Sequence, residues 1–252
     1  MDLGLAGRVA LVTGASGDIG RAIAALLAQE GALVAATWHR NEQRARELVD
    51  SIAREGGKAT AVRLDQRDEG SIRAAVEQVR RDLGEIAVLV ANAVSWPTRG
   101  PETWESLTGD FTANVTGTLS VIEAALPGMR AAGWGRIVVI SSDVVAQPLP
   151  AGVAYPAAKA ALETAAEVLA AREAPYGVLT NVVRPGFTLT DRALTTPGFG
   201  QEVVDAEAAK TPTRRICTPQ DVASTVAYLG SAANGHVNGE VISVAGGRHL
   251  TR

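Results

Sequence analysis

The sequence predicts an α/β fold built on a doubly wound parallel sheet of about seven strands, with helices on both faces. Three observations carry that expectation. Short runs rich in β-branched residues alternate along the chain with longer Ala, Leu, Glu and Arg stretches of helical period. The first such run opens directly into a glycine-rich turn and an amphipathic helix. No linker, internal repeat or low-complexity tract interrupts the 252 residues, and a composition that is 46% hydrophobic fills a sizeable core, so a single domain over residues 1–252 is expected.

Each element follows from that alternation. A strand at Arg8–Val12 leads into a helix at Ile19–Gln29, and a strand at Leu33–Trp38 into a helix at Glu42–Arg54. The next pairs are Ala59–Leu64 with Glu69–Asp82, and Ala87–Ala91 with Thr108–Arg130. Arg136–Ser141 precedes a helix at Val153–Arg172, Leu179–Val183 precedes Pro219–Leu229, and Val241–Val244 closes the series. Glycines mark the junctions, notably Gly56, Gly57, Gly133 and Gly135, where a helix stops before the next strand. Residues 187–215 break the pattern: Pro197, Gly198, Gly200 and Pro212 lie among polar residues, which reads as a mobile segment rather than a second domain.

Charge narrows the function classes. Charged residues are 20% of the chain and the formal net charge is -3, which argues against nucleic acid or an anionic membrane as partner. The first 37 residues are apolar in tendency, but Asp2, Arg8, Asp18, Arg21, Gln29 and Glu30 interrupt them, which excludes a signal peptide or membrane span there. The single cysteine, Cys217, forms neither an internal disulfide nor a zinc site by itself, so a reducing cytoplasm is the expected setting.

The turn Thr13-Gly14-Ala15-Ser16-Gly17-Asp18-Ile19-Gly20 sits where a dinucleotide pyrophosphate would be held. Free backbone N–H groups and the positive end of the following helix stabilise an anion, and glycine lets it approach without a Cβ in the way. No Lys-Ser or Lys-Thr follows, which excludes a phosphate-loop NTPase. Gly14, Ser16, Asp18 and Ile19 are the candidate contacts, and the Asp18 carboxylate is expected to weaken affinity for the pyrophosphate. At the end of the second strand, Thr37-Trp38-His39-Arg40 offers no acid to bond an adenosine ribose, whereas His39 and Arg40 suit a 2′-phosphate, so NADP is expected over NAD. Asp65 and Gln66 after the third strand, and Asn92 and Ala93 after the fourth, are further candidates.

Tyr155 and Lys159 lie one turn apart at the start of a helix, with Pro156 acceptable in the first turn. An ammonium near a phenol favours the phenolate and is expected to lower the tyrosine pKa toward working pH. Upstream, Ser142 ends the fifth strand, where open α/β sheets place ligands, and it can donate to a substrate oxygen beside Tyr155.

With Asn114 these residues resemble the Asn, Ser, Tyr and Lys tetrad of the short-chain dehydrogenase/reductase family, and the turn resembles its Thr-Gly-x-x-x-Gly-x-Gly fingerprint, with Asp18 at the middle glycine. Ala91-Asn92-Ala93-Val94 resembles the family's Asn-Asn-Ala-Gly, Val94 replacing glycine, and the resemblance runs from about Arg8 to Gly247. It implies a Rossmann fold and a hydride transfer between NADP(H) and a carbonyl or hydroxyl group, as in 3-oxoacyl or polyketide ketoreductases. In the reductive direction Tyr155 would protonate the carbonyl oxygen, Ser142 would position it, and Lys159 would bind the nicotinamide ribose. Asn114 would kink its helix and hold a water relay. Pro185, Gly186, Thr188 and Thr190 would contact the nicotinamide carboxamide. The resemblance also implies a homotetramer paired through the helices that carry Asn114 and Lys159.

The substrate pocket is expected to be walled by Val94, Trp96, Val144, Val145, Gln147 and Phe187, with Phe199 nearby, which suits an apolar or aromatic ketone or alcohol. Arg130 and Arg172 are candidates for docking an acidic acyl carrier protein. An NADP-sensing scaffold is the competing reading, since Asp18 and Val94 both depart from the family at the cofactor. A hydrolase is excluded because His39, His236 and His249 lie outside any Ser/Asp arrangement that the strand order assembles.

Overall fold

In the computed structural model, which describes residues 2–96, 101–148, 152–196 and 198–251, seven parallel strands form one sheet in the order β3-β2-β1-β4-β5-β6-β7. They are β1 (Val9–Val12), β2 (Leu33–Trp38), β3 (Lys58–Arg63), β4 (Ile86–Ala91), β5 (Gly135–Ile140), β6 (Val178–Pro185) and β7 (Val241–Val244). The chain winds outward from β1 to β3, then crosses back to β4 on the other side of β1. That reversal opens a crevice at the carboxyl ends of β1 and β4, where doubly wound sheets bind ligands.

Successive strand residues point to opposite faces, and the core divides accordingly. Ala10 and Val12 of β1 meet Ile23 and Leu27 of α1 (Asp18–Gln29), Leu48 of α2 (Glu42–Arg54), and Val222 and Val226 of α9 (Pro219–Leu229). Val9 and Leu11 face the other layer, with Val76 of α3 (Glu69–Asp82), Leu126 of α5 (Gly117–Ala132) and Leu162 of α6 (Ala154–Glu173). Each fully buried aliphatic side chain of this kind contributes roughly 1.5–3 kcal/mol.

Two stretches differ from the expectation. The single helix expected over Thr108–Arg130 is instead α4 (Trp104–Phe111), a π-helical turn over Thr112–Thr116, and α5. The π turn carries one residue more per hydrogen-bonded ring, which displaces Asn114 at its centre from the helical ladder. Residues 187–215 carry two helices that the sequence reading leaves out, α7 (Asp191–Thr195) and α8 (Gln201–Lys210). Thr190 caps α7 by accepting the Ala193 N–H at 3.2 Å. Main-chain bonds from Leu189 to Cys217 and from Cys217 to Phe187 tie the start of this segment to residues before α9. Pro197, one of the residues on which the mobile reading rests, lies outside the described residues. No helix among the described residues is long and apolar enough to cross a membrane.

Candidate active site

The phosphate turn is braced from both sides. The Thr13 hydroxyl accepts the N–H groups of Asn92 and Ala93, both at 2.9 Å, while the Asn92 amide donates back to the Thr13 carbonyl at 2.9 Å. From β2, Thr37 accepts the Gly14 N–H on its hydroxyl at 3.0 Å and the Ala15 N–H on its carbonyl at 2.9 Å. Asn92 and Ala93 thus shape the turn from behind.

Gly14 adopts φ +66°, and a Cβ on Gly20 would drive into the Gly14 carbonyl and the Asn92 amide. Helices α2, α3, α4 and α9 are capped by the side chains of Asn41, Asp68, Thr103 and Thr218, whereas Gly17 gives α1 no side-chain cap. The first N–H groups of α1, including that of Ile19, therefore face the crevice without a side-chain acceptor, and the Ser16 hydroxyl makes no hydrogen bond among the described residues. This donor set fits the phosphates of a dinucleotide.

Asp18 is not an isolated negative charge. Arg44 of α2 pairs with it at 2.7 Å, and its second oxygen accepts the Asp191 N–H at 2.8 Å. Arg44 also reaches the Asp191 carboxylate at 3.1 Å, so one guanidinium joins the phosphate turn, α2 and the start of α7. The sequence offered no signal for Arg44, which is one of several arginines on a solvated helix.

At the end of β2, His39 Nε2 lies 3.1 Å from Asp65, and Arg40 is exposed with no ion pair among the described residues. The Gln66 amide donates to Thr118 at 2.9 Å, and Gly117 lets α5 press against its main chain.

Three consecutive residues at the end of β5 each hold a group on successive turns of α6. Ser142 lies close enough to the Tyr155 phenol to favour its ionised form, Ile140 accepts the Lys159 ammonium on its carbonyl at 2.7 Å, and Ser141 donates to Glu163 at 2.5 Å. Glu163 also receives both arms of Arg184, at 3.0 and 2.6 Å. The i, i+4 spacing that pairs Tyr155 with Lys159 extends to Glu163, and that periodicity was the available signal for it.

Burial pushes the Lys159 pKa down to about 8, against the opposing pull of the Glu163 charge. The expected lowering of the tyrosine does not occur here. Burial raises the Tyr155 pKa, opposed by Ser142 and Arg192, while Asp143 adds to the rise. The Lys159 nitrogen lies 5.8 Å from the ring centroid, with its charge engaged by Ile140.

Asn114 is 1% exposed, and both ends of its amide bond the Ser95 main chain, at 2.7 and 2.8 Å. It therefore fixes the Val94–Trp96 stretch. Trp96 lies against Tyr155 with ring centroids 4.9 Å apart, and Phe187 stacks on Phe199 at 5.9 Å. Val144 and Val145 form the short turn after Ser142. The Gln147 amide donates to the Arg248 carbonyl at 3.1 Å.

Pro185 ends β6, and Gly186 donates to Val244 at 3.0 Å, packed so closely on Ala245 that a Cβ would collide. Thr188 donates back to the Gly186 carbonyl at 2.8 Å, and Thr190 is the α7 cap. Arg130 and Arg172 are both paired with the buried Glu173, and Arg172 also with Glu123.

Comparison with known proteins agrees with this geometry. Residues 14–249 match a family model described as Enoyl-(Acyl carrier protein) reductase. A 3-oxoacyl-(acyl-carrier-protein) reductase from Aquifex aeolicus is 36% identical over 98% of this chain and 99% of its own. An acetoacetyl-CoA reductase from Cupriavidus necator is 32% identical over 96% of this chain and 98% of its own. Among solved structures, a gluconate 5-dehydrogenase from Burkholderia cenocepacia in complex with NADP and tartrate superposes with a TM-score of 0.87 at 29% identity, covering 100% of this chain and 98% of that one.

Proposed function

Because the chain belongs to the short-chain dehydrogenase/reductase family, a family of oxidoreductases, we propose that it is an NADP(H)-dependent ketoreductase acting on a small ketone or the corresponding alcohol. The observation that carries this reading is the end of β5, where the Ser142 hydroxyl meets the Tyr155 phenol one helical turn from the buried Lys159.

NADPH, when bound, supplies the hydride. Ser16, the α1 amides and Ile19 are the groups that would hold its phosphates, Arg40 its 2′-phosphate, and the Pro185–Thr190 stretch its amide end. That NADP rather than NAD is used is supported by Arg40 and by the absence of an acid at the end of β2, and the Burkholderia neighbour is described with NADP.

Ser142 orients the carbonyl oxygen toward Tyr155. The raised phenol pKa keeps the proton on Tyr155 at neutral pH, which is the form that donates to an oxygen gaining negative charge. Lys159 places its charge beneath that phenol and would hold ribose hydroxyls, while Asn114 secures the wall through Ser95. A cytoplasmic setting, a single catalytic domain and a homotetramer joined through α5 and α6 belong to the same reading. The assembly is supported by the exposed Val168 of α6, and sedimentation as a monomer would remove it.

The test is NADPH consumption over a panel of ketones, with NADPH binding followed separately by fluorescence. Tyr155→Phe is expected to lower turnover roughly 10²–10⁴-fold while binding persists. Undiminished turnover in that variant sinks the acid role, and NADPH binding without turnover of any ketone by the unaltered chain favours the sensing scaffold.

A further inference from the structure

The first residue of α7 is held by a group that belongs to the phosphate turn. The Asp191 N–H donates to one Asp18 carboxylate oxygen at 2.8 Å, and the other oxygen takes the Arg44 guanidinium at 2.7 Å. Asp18 opens α1, whose Ile23 and Leu27 are fixed in the core, and one turn on Arg21 donates to the Arg44 carbonyl at 3.3 Å. The anchor is therefore rigid on the side of α1 and α2. The Asp18 side chain is 21% exposed and that of Asp191 70%, so the bond from Asp18 to the main chain outweighs the solvated pair between Asp191 and Arg44.

From that anchor a line of contacts runs to the reacting group. Main-chain bonds with Cys217 hold the segment as far as Leu189, and the Thr190 hydroxyl caps α7. Arg192, next to Asp191, places its guanidinium carbon 4.1 Å from the Trp96 ring centroid, and the Trp96 ring lies 4.9 Å from that of Tyr155. Setting the first turn of α7 therefore sets the aromatic wall beside Tyr155. The glycine that the family fingerprint carries at position 18 has no group with which to hold α7, so the departure there has a use on the substrate side.

Resting on the ketoreductase reading, we propose that Asp18 is a positioning residue for the ketone: it anchors α7, and through α7 the Trp96 wall, while Arg44 keeps its charge from opposing the cofactor phosphates. A residue of the phosphate turn thus acts on substrate affinity. The proton still comes from Tyr155.

The experiment measures NADPH binding by fluorescence and ketone KM by NADPH consumption in Asp18→Ala, Asp191→Pro, Asp191→Asn and Arg44→Met. Asp18→Ala should raise ketone KM roughly tenfold, with NADPH affinity kept or improved. Asp191→Pro removes the N–H that Asp18 accepts, at the first position of α7 after an extended Thr190, where proline is tolerated. It should match Asp18→Ala, and the two together should cost no more than either alone. Asp191→Asn keeps the N–H and should leave ketone KM within about twofold. Arg44→Met leaves the Asp18 carboxylate without its cation and should weaken NADPH binding roughly tenfold, a loss that adding Asp18→Ala restores.

An unchanged ketone KM in Asp18→Ala, or a loss of NADPH affinity as large as the rise in KM, overturns the inference and leaves the ketoreductase reading standing. Should Asp18→Ala fail to fold, Asp191→Pro carries the same test. If the unaltered chain turns over no ketone, the ketoreductase reading fails. Hydrogen exchange of the α7 amides then judges the anchor alone: Asp18→Ala should lose protection there while the core strands keep theirs, and unchanged protection in α7 overturns the role of Asp18.

Discussion

Arg40 and Glu163 show how much one charge decides. Arg40 stands exposed at the end of β2 without an ion pair among the described residues, on the strand end that meets the adenosine side of a dinucleotide. Arg40→Asp is expected to raise KM for NADPH at least tenfold while changing KM for NADH little, because it replaces an attraction for a 2′-phosphate with a repulsion. Steady-state kinetics with both cofactors check this, and equal effects defeat the assignment.

Glu163 holds Ser141 and Arg184 and supplies the charge that offsets the desolvation of Lys159. Glu163→Gln should move the alkaline limb of activity to lower pH, since Lys159 then loses its proton more readily. Glu163→Leu leaves Arg184 without its partner and should cost about 3–5 kcal/mol, read by chemical denaturation. Tyr155, Lys159 and Ser142 were legible in the sequence because one helical turn and one strand end define them. Arg192 was not, since its position depends on a cation meeting Trp96 from a distant segment.

At the scale of elements, legibility followed the end signals. Helices α2, α3 and α9 run over the residues expected for them, and each begins with a side-chain cap, Asn41, Asp68 or Thr218, that the local sequence displays. The π turn over Thr112–Thr116 has no such signal, since no side-chain cap marks its start. The five-residue α7 and ten-residue α8 were hidden by the prolines and glycines around them.

The phosphate turn makes the sharpest prediction at this scale. A Cβ at position 20 meets main chain and a bonded amide, neither of which can swing aside. Gly20→Ala should therefore lower the thermal midpoint and weaken NADPH binding together, measured by calorimetry and fluorescence titration. A variant with unchanged affinity would show that the turn can open at little cost. The carboxylate at position 18, expected to weaken binding, is instead neutralised by Arg44.

For the whole molecule, the Lys159 ammonium sets activity and stability against each other. Its folded pKa of about 8 lies below the ordinary value of 10.5, so the unfolded chain binds a proton that the native one has released between those limits. Stability from this group therefore rises with pH across that window, by up to about 3 kcal/mol, and the cost of the buried charge is fully present below it. Reduction should fall over the same range as the charge beneath Tyr155 is lost. Denaturation midpoints of the unaltered chain and Lys159→Met, taken from pH 7.5 to 10.5, test this: the upward slope should vanish in the variant.

The sheet order has a consequence for how such a chain comes into being. β1 emerges first from a ribosome, yet its two neighbours are β2 and β4, and the hydroxyl of Thr13 waits for the amides of Asn92 and Ala93. This early strand is thus left with an open hydrogen-bonding edge until β4 has been made, after β2, α2, β3 and α3. Parallel pairing across such separations is slow and prone to aggregation. Assistance during synthesis would matter most before residue 93 has cleared the exit tunnel.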